Sequence, residues 1–192
     1  MGGDRRALAK AFVDAMDNGS PATTQSWRGQ SATGAITPGV PGVGNLRSDP
    51  TALIAFRPGL KLTREYETEL GEFVLVKNSN IRYGPSTDDQ VIEVLDSGTG
   101  VEVVGKVVNE RWMLIAIDNE IRGFIFETLL KRRPGSELEL AGGPTKRPRL
   151  CRSFKQTLES PDGSDEWSGV ACKIDGRWAL QQADTTGPTR LF

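Results

Sequence analysis

The sequence predicts a mainly β protein of the α+β kind, pairing a small β-barrel with a small antiparallel sheet domain that carries an N-terminal helix. Three observations predict it. An apolar stripe at four-residue spacing is confined to the first eighteen residues, six short apolar runs parted by turn residues crowd into residues 73–130, and two further runs face each other across Pro161-Asp162-Gly163-Ser164.

Residues 4–18 form the helix. Asp4 stands where an N-cap is needed, Leu8, Phe12 and Met16 recur on one face, and Gly19 with Pro21 supplies the stop. Arg5, Arg6 and Lys10 mix with Asp14 and Asp17 on the remaining surface, so the stripe suits docking on a sheet better than lying on a membrane. Residues 25–37, QSWRGQSATGAIT, predict a short hairpin around residues 29–34. PGVPGVGNLRSDP, residues 38–50, reads as a Pro/Gly linker; its glycines neither follow a strand nor open a helix, which excludes a dinucleotide loop. Within residues 51–72, ALIAF suits a strand or a short helix, and LKLTREYETEL alternates weakly toward strand.

From residue 73 the runs FVLVK, NIRYG, QVIEVLD, GVEVVGKVV, RWMLIAIDN and IRGFIFETLL follow closely, parted at Gly84-Pro85, Ser97-Gly98, Asn109-Glu110 and Asp118-Asn119. Strands this short cannot bury both faces of a flat sheet, and a closed barrel is the simplest solution. The following segment, KRRPGSELELAGGPTKRPRL, reads as a solvated linker, since its two basic clusters lack the interleaved aromatics of a nucleic-acid patch.

In the last segment the hairpin about residues 161–164 sets Cys151 nearly opposite Cys172, and Asp175-Gly176 leads to a third strand with Trp178. Cross-strand neighbours are within disulfide reach, and the near-symmetric placement favours a bond, with the oxidising compartment that implies, over two buried thiols. A zinc site would need further ligands at a usual spacing, and none stands there.

Composition limits the function classes. The 192 residues carry 24 basic and 25 acidic side chains, a net charge of −1, so no global field draws the chain to nucleic acid. Histidine is absent, which removes the usual general base and commonest metal ligand. The expectation is therefore a protein that is not an enzyme and uses no cofactor and no metal. A hydrolase built on paired carboxylates survives this argument as a minor alternative. The opening residues lack the apolar core of a secretory signal, and Arg6 breaks the N-myristoylation pattern.

Two resemblances follow from ordered motifs. Asn80-Ile81-Arg82, Gly84-Pro85-Ser86, Gly98, Val101 and Val103, Trp112, and Gly123-Phe124-Ile125 with Leu129 resemble the bacterial SH3 domain family. Arg111 stands where glycine usually precedes the tryptophan, and Phe124 replaces a second tryptophan. Cys151, Arg152, Phe154, Gln156, Thr157, Gly169, Ala171, Cys172, Asp175, Gly176 and Trp178 resemble the carboxy-terminal signature of the rickettsial-type surface-antigen family of outer-membrane lipoproteins. Asp4-Arg5-Arg6-Ala7-Leu8 and Trp27 with Gly34 and Pro38 fit that family's earlier half.

Together they imply that residues 4–45 and 150–181 form one discontinuous helix-plus-sheet domain, interrupted by a barrel at 73–131 with linkers at 46–72 and 132–149. They also imply a cell-envelope protein of a Gram-negative bacterium, in the periplasm or at the outer membrane, with membrane contact only through an upstream anchor. The expected partner is peptidoglycan or an envelope protein, with no nucleic acid. Asn80, Arg82 and Tyr83 are the candidate ligand contacts, with Trp112 as a floor. The same residues have a structural reading, in which Asn80 and Arg82 pin the bend, Tyr83 packs on Pro85 and Trp112 is core. An alternative function is an inhibitor or assembly factor that docks on an envelope enzyme through the sheet domain.

Overall fold

Turn chemistry dictates several strand boundaries. Asp118 and Asn119 take φ of 51° and 61°, and Asp175 and Gly176 take 48° and 77°, the paired left-handed conformations of a two-residue hairpin turn. The computed structural model describes residues 2–47, 49, 51–67, 71–136 and 145–181. In chain order its elements are α1 (Gly2–Asn18), β1 (Gln25–Arg28), β2 (Thr33–Gly44), β3 (Ala55–Phe56), β4 (Tyr66–Glu67), β5 (Gly71–Leu75), β6 (Ser79–Arg82), β7 (Val91–Leu95), β8 (Gly100–Val107), β9 (Trp112–Ile117), β10 (Glu120–Phe126), a 3-10 turn (Glu127–Leu129), β11 (Leu130–Arg132), β12 (Arg149–Ser160), β13 (Gly163–Ile174) and β14 (Arg177–Leu180). The protein is mainly β with one N-terminal helix and mostly antiparallel pairing. Its contacts divide it into two units, Met1–Gly42 with Arg149–Phe192, and Val43–Pro148.

The first unit is a five-stranded sheet in the order β1-β2-β12-β13-β14. Trp27 pairs with Gly34 in the first hairpin, and Cys151 faces Cys172 in the β12–β13 ladder, where the two form a disulfide. Leu8, Ala15 and Met16 of α1 are buried. They pack with Trp27 and Ile36 on one side and with Phe154 and Ala171 on the other. The helix differs at its start from the expected cap. It begins at Gly2, so Asp4 lies inside the first turn, and its carboxylate instead accepts hydrogen bonds from Ser31 N at 2.9 Å and Ser31 Oγ at 2.5 Å. These bonds hold the Asp4 carboxyl down at about 2.

Residues 38–44, expected as linker, are the second half of β2. Both prolines, Pro38 and Pro41, lie past the β1 ladder, which ends at Ile36.

The second unit is a nine-stranded sheet. Its main path runs β11-β5-β8-β9-β10-β6-β7, with β4 on β8 and a parallel β3 on β10. Strand β9 is buried continuously from Trp112 to Ala116 rather than alternating, the mark of a strand covered on both faces. Met113 and Ile115 point into a cluster with Phe73, Leu75, Ile81, Val103 and Ile125. Ile92 and Leu95 of β7 and Leu130 of β11, from opposite ends of the path, pack on this same cluster, so the sheet is rolled. Trp112, Leu114 and Ala116 face the other way, onto Val43, Leu46, Ile54, Tyr66 and Phe124.

That second cluster corrects the expected linker at 46–72. Leu46, Ile54 and Tyr66 are each at most 2% exposed, and β3 and β4 are strands of the sheet. The barrel strands do bury both faces, because this segment covers the outer one. The linker at 132–149 is also corrected at its described ends: Arg132 lies over the Phe73 ring at 4.6 Å, Arg133 pairs with Glu72 at 2.8 Å, and Lys146 bonds the Tyr66 main chain. Its centre, 137–144, lies outside the described residues.

Candidate ligand-binding groove

The bend between β6 and β7 is built from its own hydrogen bonds. Arg82 Nη1 donates to the Asp89 carbonyl at 2.7 Å, Tyr83 N donates to Gln90 O at 3.1 Å, and Asp88 N donates to Ser86 Oγ at 3.1 Å. Lys61 forms an ion pair with Asp89, and its main-chain N–H donates to Tyr83 O at 2.8 Å. The bend is thereby fixed from both sides. Gly123 packs against it from β10: with φ at 148°, it leaves room where a Cβ would lie 2.6 Å from Arg82 O.

Beside this bend lies a groove of about 250 Å³, lined by Lys77, Asn78, Ser79, Asn80, Arg82, Thr87, Trp112, Phe126 and Leu129. Asn80, Arg82 and Trp112, named from sequence, therefore share one surface. Asn80 is exposed. Trp112 is 9% exposed and meets Phe126 edge to face at 5.5 Å, while the Arg111 guanidinium lies 5.2 Å over the Phe126 ring. It serves both as a member of the outer core and as a wall of the groove. Tyr83 does not line it. Its ring lies against Gly59, where a Cβ would come within 3.4 Å. Pro85 lines a separate cleft with Lys61, Arg64 and Asp88.

Sequence reasoning missed Lys77, Asn78, Ser79, Thr87, Phe126 and Leu129. Phe126 had a visible signal, since it shares a face of β10 with Phe124 at the two-residue period. Chemically, the groove offers two amides, a guanidinium, an ammonium and an aromatic edge, a set that suits a polar ligand carrying acceptor or anionic groups. Among the described residues no group of His, Cys, Asp and Glu is placed to hold a metal ion.

Residues 77–131 match the family model described as the bacterial SH3 domain. This segment is similar to bacterial SH3 domains. The match includes every groove residue from Lys77 to Leu129. Bacterial SH3 domains commonly bind peptidoglycan or proteins. Such a domain, together with the Cys151–Cys172 disulfide, points to an extracytoplasmic protein. Among the described residues no helix is long and apolar enough to cross a membrane. No curated protein and no solved structure matches the chain. The surface-antigen resemblance of the flanking residues has no counterpart in these comparisons.

Proposed function

We propose that the protein is a non-enzymatic binding protein of the Gram-negative cell envelope, held in the periplasm or at the outer membrane, whose bacterial SH3 domain recognises peptidoglycan. The observation that carries this reading is the groove itself: Asn80, Arg82 and Trp112 line one surface inside the matched segment, with amide, cationic and aromatic groups side by side. A stem peptide supplies carboxylates for Arg82 and Lys77, main-chain groups for the asparagines and an apolar side for Trp112 and Phe126. Asn80 and Trp112 are the ligand contacts proper; Arg82 also braces the bend. We further read the first unit as a surface-antigen-type domain. Supporting that reading, Cys151 and Cys172 are bonded, Trp27 and Gly34 pair in the first hairpin, and Asp175-Gly176 form a tight turn.

The test is co-sedimentation with purified insoluble peptidoglycan. Wild type is expected in the pellet, Asn80→Ala to bind about tenfold more weakly, as loss of roughly one hydrogen bond requires, and Tyr83→Ala to bind as wild type. Wild type left in the supernatant would overturn the peptidoglycan reading and direct the search to a protein partner. Loss of binding in Tyr83→Ala alone would move the site from the groove to the bend.

A further inference from the structure

A second cavity, in the first unit, belongs to neither the groove nor the SH3 segment. It holds about 390 Å³ between α1 and the β12–β13–β14 face, within the size range of small-molecule sites. Its walls are largely apolar, with Leu8 and Phe12 from the helix and Phe154, Trp178 and Leu180 from the sheet.

Two polar groups break that apolar lining. Gln156 is 4% exposed, yet among the described residues its Nε2 finds no acceptor, and neither does the buried indole Nε1 of Trp167. The two residues are direct cross-strand partners, so both orphan donors belong to one spot on the cavity wall. A buried donor left unpaired costs about 1–3 kcal/mol, and native proteins rarely leave two side by side. Trp178, by contrast, is satisfied: its Nε1 donates to Asp17 at 2.9 Å. Both orphans are donors, no carboxylate among the described residues lines the cavity, and Arg5 is one of its lining residues. The missing partner is therefore an acceptor attached to an apolar body. Exposed Ala9 and Val13 on α1 leave the cavity open along the helix.

We propose that this cavity is a binding site for a monoacyl carboxylate, with the carboxylate accepting from Gln156 Nε2 and Trp167 Nε1 and the chain lying between α1 and the sheet. The site is independent of the peptidoglycan reading and does not fall with it.

The experiment is calorimetric titration of the full, disulfide-bonded chain with dodecanoate and, separately, dodecyltrimethylammonium. Dodecanoate is expected to saturate a single site and to bind at least tenfold tighter than the cation. Gln156→Leu keeps volume while removing the donor and is expected to weaken dodecanoate about tenfold; Ala9→Trp fills the mouth and is expected to abolish binding. Trp167→Phe, which deletes only the N–H and part of the ring, carries the same test should Ala9→Trp lose its far-UV circular dichroism spectrum. Absence of saturable binding, equal affinity for the two head groups, or variants that bind as wild type would each overturn the proposal. So would flotation with diacyl phosphatidylglycerol vesicles without dodecanoate binding, which would make the occupant bilayer lipid.

Discussion

Arg152 Nη1 donates to the main-chain carbonyl of Met16 at 2.8 Å, across 136 residues of sequence. The same guanidinium donates to Gly19 O at 2.9 Å and, through two nitrogens, to Gly39 O. Only 5% of Arg152 is exposed. The C-terminal carbonyls of α1, which no helical N–H can reach, thus receive a cation from β12, and its planar fork reaches β2 at the same time. Arg152→Leu is expected to lower unfolding stability by about 3 kcal/mol, because several buried carbonyls lose their donor together. Arg152→Lys should recover less than half, since an ammonium cannot span three carbonyls in one plane. Urea unfolding with an unchanged m-value is the measurement.

The disulfide closes a loop with a sequence separation of 21. Replacing both cysteines with alanine is expected to cost about 3 kcal/mol, most of it through the freer unfolded chain. Intact mass before and after reduction checks the bond, and thermal unfolding of the double variant checks its worth.

Acid sensitivity follows from Asp4. Its folded value of about 2 lies below the ordinary 3.8, so its contribution is fully present above about pH 4 and disappears as pH falls toward 2. Asp17, through Lys173 and Trp178, and Glu93, through Arg122, shift in the same direction. Asp4→Asn is expected to flatten part of the fall in urea midpoint between pH 4 and pH 2, while leaving the remainder that Asp17 and Glu93 supply.

Gly123→Ala tests the support of the bend. A left-handed φ of 148° and a Cβ 2.6 Å from Arg82 O combine strain with a main-chain clash. A loss of about 2 kcal/mol or more is expected, seen as a lower thermal midpoint. The groove residues Asn80 and Arg82 should lose peptidoglycan binding with it, even though Gly123 does not line the groove.

What the sequence revealed was whatever rests on short-range rules. Asp118-Asn119 and Asp175-Gly176 announce tight hairpins because their residue types tolerate positive φ, and the register of the second hairpin follows from counting outward from Pro161-Asp162 to Cys151 and Cys172. The cover over the outer face of the barrel was hidden for a physical reason. Ala55-Phe56 and Tyr66-Glu67 are too short to show a period, and Ile54 and Tyr66 are buried by partners far along the chain. Proline at 38 and 41 argued against a strand, yet β2 continues past the end of its β1 ladder at Ile36. Within the groove, Asn80, Arg82 and Trp112 stood out by motif, but that Tyr83 turns toward Gly59 depends on a loop contact that no local pattern encodes. Gln156 gave no sign of an orphan donor, since alternation along β12 reports which face a side chain takes and not whether its amide finds a partner.

The division into Met1–Gly42 with Arg149–Phe192, and Val43–Pro148, also orders the events of folding. The contiguous SH3-containing unit can close on its own residues, whereas α1 and the first hairpin must wait, apolar face uncovered, until β12 arrives with Arg152 and Cys151. A longer insertion between the halves would lengthen the period in which Leu8, Phe12 and Met16 stay uncovered. In an oxidising compartment, closure of the Cys151–Cys172 bond marks the end of that wait.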